Sequence, residues 1–432
     1  MHMSKQEKKE LVPALRFPEF KDAGEWAVAP LMKLASRRSE RNRDGNVTRV
    51  LTNSAEHGVV DQRDYFDKDI ATQGNLENYF IVDEGDYVYN PRISAFAPVG
   101  PISKNGVGKG VMSPLYTVIR FKNPDSEFYA HYFKTNAWHS YMRKVGSTGA
   151  RHDRMAISND DFMAMPLPAP LPEERQKIAD CLTSVDNLIT AQTQKLDGLK
   201  THKKGLMQQL FPAEGKTVPK LRFPEFRDKG EWIQASFGSL RLDVSDGNYS
   251  SKYPKQSDFL ESGIPFLRAN NLRFGTVSDE DMRYISEEQH SELTKGHLKK
   301  GDILISTRGE LGTLALVPDR HIGSNINAQL VRINAAGKLD KHFLFQLLDF
   351  SRTVGEFDRL STGTALKQLP IGKLNQLSLL IPKQKEEQQK IAECLTSIDE
   401  LITSQAKKVE ALKAHKKALV QQLFPAMDEV DI

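Results

Sequence analysis

Two forty-residue stretches carry the most regular alternation of apolar and polar positions in the chain. In the first, a seam runs through Ile178, Leu182, Val185, Ile189, Gln192, Leu196, Leu199, Lys203, Leu206 and Leu210, in alternating steps of four and three. The second repeats it as Ile391, Leu395, Ile398, Ile402, Gln405, Val409, Leu412, Lys416, Leu419 and Leu423. That spacing is a heptad seam and predicts two long α-helices. Pro172 followed by Glu173 and Glu174 suits a helix start, and Pro212 suits its end. At 1.5 Å per residue each helix reaches ~55 Å. A lone heptad helix leaves its seam in water, so each needs a partner. The nearest suitable partner is the other copy. An antiparallel coiled coil is expected, because it relates the two halves by a pseudo-two-fold axis. Gln192, Lys203, Gln405 and Lys416 then penalise wrong registers.

The helices belong to a larger internal repeat. Glu173–Pro212 and Glu386–Pro425 match at 27 of 40 positions. Val12–Trp26 (VPALRFPEFKDAGEW) and Val218–Trp232 (VPKLRFPEFRDKGEW) match at 12 of 15. The stretches between share almost no residue-level identity. The organisation is therefore an N-terminal constant segment (1–26), a first variable domain (27–170) and a central helix (171–212). A linker with the repeated LRFPEF segment (213–232), a second variable domain (233–384), a second constant helix (385–425) and a tail (426–432) follow. Two copies of an enzyme would keep their catalytic residues in the middle. Here the flanks are kept and the middles differ, as expected if the flanks set a geometry and each middle reads something different.

The middles still share a skeleton. Glu84-Gly85-Asp86 leads into Tyr87–Arg92, and Lys300-Gly301-Asp302 leads into Ile303–Arg308. Each is a turn, a β-rich run and an arginine. A second strand follows (Leu115–Phe121; Gln329–Ile333), then a helical stretch (Phe128–Met142; His342–Phe357). Each middle then reaches a Ser-Thr-Gly loop (Ser147–Gly149; Ser361–Gly363). Both middles are expected to be α/β domains of one fold, giving an α+β chain.

Composition narrows the function. Apolar residues make up 39% and charged residues 27% of the 432, a globular balance. No apolar run approaches the ~18–20 residues of a membrane span. Two cysteines, Cys181 and Cys394, exclude a disulfide scaffold or a Cys-rich zinc site, and a reducing cytoplasm is the default. Both read as small buried apolar residues beside the seam. The net charge of +4 permits nucleic acid without pointing to it. The distribution says more: Arg92 to Arg154 holds ten Lys and Arg against three acidic residues. Such charge neutralises phosphate, and arginine also reads guanine. The candidates for DNA contact in the first domain are Arg37, Arg38, Arg41, Arg43, Arg92, Lys104, Lys109, Ser147, Thr148 and Arg151. In the second they are Lys252, Arg268, Asn270, Asn271, Arg308, Asn325, Asn327, Ser361, Thr362 and Lys367. Asn and Arg suit base edges, although Asn is also a common turn residue. Gly106–Gly110 lacks the Walker spacing, Tyr89-Asn90-Pro91-Arg92 lacks half of an amino-methyltransferase motif, and no hydrolase or helicase motif is present. No catalytic or metal-binding residue is assigned.

Together, LRFPEF with Gly-Glu-Trp, the Gly-Asp strand with its arginine, the Ser-Thr-Gly loop, and EERQKIADCL/EEQQKIAECL followed by Asp186 or Asp399 resemble the specificity subunits of Type I restriction–modification systems. The resemblance covers nearly the whole chain, twice, in order. It implies a cytoplasmic, non-catalytic subunit that reads a bipartite DNA target, with the helix pair as a ruler between half-sites. It also implies two copies of a methyltransferase subunit using S-adenosylmethionine, and restriction subunits driven by ATP and Mg. The rival reading is a coiled-coil scaffold whose globular ends bind other proteins.

Overall fold

The computed structural model describes residues 11–65, 73–123, 127–148, 153–247, 252–364 and 366–427. It divides into two compact units, residues 1–189 with 411–432, and residues 190–410. This division cuts through both long helices, so each unit holds part of each. The helices themselves are continuous, Pro172–Leu210 and Lys385–Leu423.

Each unit is built on the same four-stranded antiparallel sheet. In the first unit the order is Ala35–Arg38, Thr117–Phe121, Tyr87–Tyr89, Ile102–Lys104. In the second it is Asp243–Asp246, Leu330–Asn334, Asp302–Ser306, Leu314–Leu316. The registers correspond: Tyr87 faces Ile119 as Ile303 faces Ile333. Both central strands are buried along their whole length, which explains runs such as Asp302-Ile-Leu-Ile-Ser306 with no polar alternation.

The Gly-Asp turn that opens each central strand has a structural cause. Gly85 and Gly301 hold φ of 88° and 81°, a left-handed conformation that a Cβ would strain. The aspartate that follows is fully buried and folds back on the turn. Asp86 accepts from the amide of Asp83, and Asp302 from the amide of Lys299. Its remaining lone pairs are met from the neighbouring strand, by Arg120 on Asp86 (2.6 and 2.9 Å) and by the Asn334 amide on Asp302 (2.7 Å). Burial nevertheless pushes the Asp302 carboxyl up from its ordinary range.

The expected helical stretches are present but interrupted. The first is Glu127–Tyr132 and His139–Val145, separated by a turn in which the Thr135 hydroxyl caps the Tyr132 carbonyl and the Trp138 indole donates to the Phe133 carbonyl. The second is Lys341–Thr353 and Glu356–Leu360, broken at Gly355 with φ of 81°. A periodic apolar stripe conceals such breaks, because the residues on either side still face one core.

Each variable domain is closed by its own ends. Strand Ala27–Pro30 pairs antiparallel with Pro166–Ala169, and Ile233–Ser236 with Ser378–Ile381.

Within each unit the two long helices run antiparallel. In the second unit Gln405 donates to the side chain and carbonyl of Gln192 (both 2.9 Å), while Lys203 meets Asp399 at 2.7 Å. In the first, Lys416 pairs with Asp186, and Ile178 and Leu182 share a core with Leu423 and Phe424. Every seam position is buried or half-buried. The partner helix covers only part of the seam. Ile178 and Leu182 sink into the aromatic core of the first unit, beside Trp26, Phe128 and Phe162, and Ile391 and Leu395 into that of the second. Cys181 and Cys394 are half-buried, less enclosed than their pattern implies.

The two repeated segments of each half are joined by an ion pair. Arg222 of the second LRFPEF grips Glu387 through Nε (2.7 Å) and Nη2 (2.8 Å), and Arg16 grips Glu174 in the same way (2.7 and 2.8 Å). Both carboxylates have about 1% of their side chain exposed. Glu387 also accepts from the Trp232 indole at 3.2 Å.

Facing these helices, the domain helix contributes unlike residues at matched positions. Gln346 donates to Asp399 (2.6 Å), whereas His131, in the corresponding place, lies 3.9 Å from Asp186 and contacts the Thr183 hydroxyl through Nε2 (3.1 Å). Burial, reinforced by Lys134 and Lys416, pushes the His131 imidazole down to about 4. A histidine depressed in the folded state takes its proton only on unfolding. Its neutral form therefore stabilises the fold above about pH 6.5, and that stability drains as pH falls toward 4. His131→Gln, which installs the residue of the second unit, is expected to remove about 2 kcal/mol of the stability difference between pH 7 and pH 5. Urea midpoints of both proteins at the two pH values check this. Identical pH slopes would show that His131 is not buried as a neutral group.

Candidate nucleic-acid interface

In both units the arginine that ends the central strand lies against the hairpin bearing the Ser-Thr-Gly loop. In the second unit Arg308 forms a backbone bridge with Gln368, and Thr362 exchanges two backbone hydrogen bonds with the same residue (2.8 and 2.9 Å). Ser361, Thr362 and Lys367 are thus gathered beside Arg308, four candidates at one joint. Lys367 is held by Asp358 at 2.8 Å. In the first unit Arg92 bridges Arg154, and strand Ser147–Thr148 pairs with Met155–Ala156 to form the same hairpin. Arg92 and Ser147 are exposed there. Arg151 and Gly149 lie outside the described residues.

Each joint also carries a large apolar side chain in water. Phe96, on the loop after Arg92, is 73% exposed, and Leu366, on the hairpin loop, is 82% exposed. Neither was distinguished by the sequence pattern, which treats a single apolar residue in a loop as unremarkable.

A second cluster in the first unit forms at one edge of the sheet. Arg38 (3.2 Å from Glu40), Lys109 (3.8 Å from Asp83) and Arg120 (2.7 Å from Asp83) draw the Asp83 carboxyl below its usual range, with Arg120 the largest cause. Arg120 lies inside an apolar strand run, so spacing did not single it out. Arg37 and Arg43 are exposed nearby in sequence, and Arg41 bonds the Asn78 amide oxygen (3.1 Å) with its guanidinium 5.7 Å from the centre of the Phe80 ring. On the opposite edge strand, Lys104 is engaged by Glu127 of the helix Glu127–Tyr132.

In the second unit Arg268 and Asn270 converge on Asp281 (2.8 and 3.3 Å), and Lys252 meets Glu292 (3.0 Å). Two of the asparagines are placed otherwise than their residue type suggests. Asn271 is fully buried: its oxygen accepts the Arg268 amide and its nitrogen faces the carbonyls of Ser278 and Glu280, closing a turn. Asn325 is also fully buried, its oxygen against His290 Nδ1. Neither offers an edge to a base without unfolding its surroundings, which removes both from the candidates. Asn327 is 5% exposed and bonds Gln329 in both directions, so it shapes a loop. Asn271 and Asn327 are used here as backbone-satisfying side chains, the alternative that asparagine chemistry always leaves open. Six candidate cations, Arg38, Lys104, Lys109, Lys252, Arg268 and Lys367, already hold a carboxylate, so at these phosphate would be exchanged for an existing partner and not met by a bare charge.

Among the described residues no group of His, Cys, Asp or Glu could hold a metal ion, and no helix is long and apolar enough to cross a membrane.

Comparison with known proteins bears on this doubled arrangement. The family model of the Type I restriction modification DNA specificity domain matches twice, over residues 40–201 and 243–414. The chain belongs to this family. It is the DNA specificity subunit of a Type I restriction–modification system, and it is non-catalytic. Among relatives, it is 27% identical over 325 residues to the Type I restriction enzyme MjaVIII specificity subunit of Methanocaldococcus jannaschii, covering 73% of this chain and 74% of that protein. The MjaIX specificity subunit of the same organism is 25% identical over 347 residues, covering 77% and 76%. A crystal structure of a Type I system S subunit from M. genitalium shares the fold, with a TM-score of 0.60 at 13% identity over 96% of this chain and 99% of that one. Each match to the family model begins in a variable domain and ends in the helix that follows it, so the specificity subunit carries two copies of the domain–helix module.

Proposed function

We propose that this specificity subunit reads a split DNA site, one half per unit, on behalf of separate modification and restriction subunits. The observation that carries the proposal is the joint between the strand-end arginine and the Ser-Thr-Gly hairpin. It recurs in both units on the same sheet, with different side chains: exposed Arg92, Ser147 and Phe96 in one, and half-buried Arg308 with exposed Lys367 and Leu366 in the other. One scaffold with two sets of tips is what reading two different short sequences requires. Candidates Arg37, Arg38, Arg41, Arg43, Lys104, Lys109, Lys252, Arg268 and Asn270 would then supply backbone phosphate contacts or flank the bases.

The partners follow from the same logic. Surfaces repeated in both halves suit two copies of one partner, here modification subunits that bind S-adenosylmethionine and methylate adenine. Restriction subunits would use ATP and Mg, all within the cytoplasm. The helix pair would set the interval of unspecified bases between the half-sites.

The test is the adenine methylation pattern of the source cell with and without this gene. Loss of one motif, two short specified halves around an unspecified gap, is the expected outcome. An unchanged pattern in cells shown to express the modification subunit would overturn the proposal.

A further inference from the structure

The first unit has a pocket of about 550 Å³ between the turn after Glu127–Tyr132 and the last part of the second long helix. Four lysines line it: Lys134, Lys413, Lys416 and Lys417. No Asp or Glu lines it among the described residues. One wall is apolar, with Val420 and Phe424. The second unit contains the counterpart, about 530 Å³, lined by Lys200, Lys203 and Lys204 of the first long helix. These are the same lysines shifted by 213 positions.

The two pockets differ in what faces the lysines. In the second unit Lys203 lies 2.7 Å from both Asp349 and Asp399, Arg352 holds Asp349 at 2.6 Å, and Glu310 also lines the wall. Three carboxylates therefore offset the cations, and Asp349, though buried, is held below its ordinary range because Lys203 and Arg352 outweigh the cost of burial. In the first unit the position of Asp349 is taken by Lys134. Asp186 pairs with Lys416 and lies 3.8 Å from Lys134, and Glu127, engaged by Lys104, is within electrostatic range of Lys134 without lining the pocket. His131 lines the same pocket with 4% of its side chain exposed, and its Nδ1 has no hydrogen-bond partner among the described residues. If the Thr183 hydroxyl donates to Nε2, Nδ1 carries the ring proton and is left to be offered.

We propose that this pocket binds a small phosphate-bearing anion of the nucleoside polyphosphate class, the lysines meeting the phosphates and the Val420–Phe424 wall meeting a flat apolar group. Several like charges around a concavity raise the local concentration of anions, and the volume falls within the ~300–1,000 Å³ usual for small-ligand sites. A duplex backbone offers phosphates along a convex ridge and has nothing to set against the apolar wall. The site is independent of the DNA reading, since it needs neither a target sequence nor a partner subunit.

The test is calorimetric titration of the full chain, without DNA, with tripolyphosphate and separately with ATP. One site per chain is expected, with ATP at least as tight as tripolyphosphate. Lys134→Asp, which gives the first pocket the charge pattern of the second, is expected to weaken binding at least tenfold. Lys413→Ala, at an exposed lysine on the rim, is expected to weaken it several-fold, and a pair of variants guards against a folding defect in one. Lys200→Ala in the second pocket is expected to leave it unchanged. Absence of binding, two equal sites, or equal loss in Lys200→Ala would overturn the proposal. So would the finding that only a non-target duplex binds in a Lys134-dependent way, which would make the pocket part of a DNA surface.

Discussion

Glu387→Ala is expected to cost the second unit about 3–5 kcal/mol, the usual penalty for removing one partner of a buried ion pair. The loss comes less from the attraction than from what is left behind. The Arg222 guanidinium is 7% exposed and would keep its charge with, among the described residues, only the Gly230 carbonyl (2.7 Å) still bonded to it. The Trp232 indole would lose its acceptor as well. Glu387→Gln should fall between, because it keeps the shape and one acceptor but not the charge. Glu174→Ala should be milder than Glu387→Ala. The first unit has the same Arg16–Glu174 pair, but the Trp26 indole has no hydrogen-bond partner among the described residues to lose. Urea unfolding of the three variants ranks them. A Glu387→Ala midpoint equal to that of the parent would mean that the pair does not form.

Removal of one heptad from each long helix, Leu196–His202 together with Val409–His415, is expected to abolish methylation of the original target. The interval between half-sites should change while both half-site sequences stay as they were. Seven residues are two helical turns, so the seam keeps its face and the Asp186–Lys416 and Lys203–Asp399 pairs both keep their partners. Each helix shortens by about 10 Å, up to about three base pairs at 3.4 Å each. Methylation sequencing of cells carrying the variant reads the result directly. Altered half-sites would show that the helices influence base reading and not spacing alone.

How much of this was legible in the sequence depends on how local each cause is. The heptad seam, the repeat and the Gly-Asp turns are set by neighbours along the chain, and each is found where the residues imply. The cause of the repeated LRFPEF and Glu-Glu segments was harder to see. LRFPEF reads only as a repeat, and the two glutamates as charges favouring a helix start. Arg16 with Glu174 and Arg222 with Glu387 show a nearer reason, a pairing across more than 150 residues that no local pattern reports. Site residues fared less well for the same reason. Arg308, Ser361, Thr362 and Lys367 lie together, whereas Asn271 and Asn325 are inside the fold. An asparagine that closes a turn and one that meets a base look identical until its surroundings are known. Arg120 was hidden by its apolar neighbours, and Phe96 by being alone.

The antiparallel pairing of Ala27–Pro30 with Pro166–Ala169, and of Ile233–Ser236 with Ser378–Ile381, has a bearing on how such a protein changes over generations. The backbone comes into and leaves each variable domain through adjacent strands, so the ends of the constant segments are fixed whatever lies between them. A middle replaced by recombination rejoins the constant segments at that one pair of strands, and it must also keep a helix that packs on the long helices as Phe128 and Gln346 do; adjacent ends are a condition under which grafted domains are commonly tolerated. A middle is exchangeable as a single cassette, while the constant helices and the repeated LRFPEF segments continue to be inherited intact.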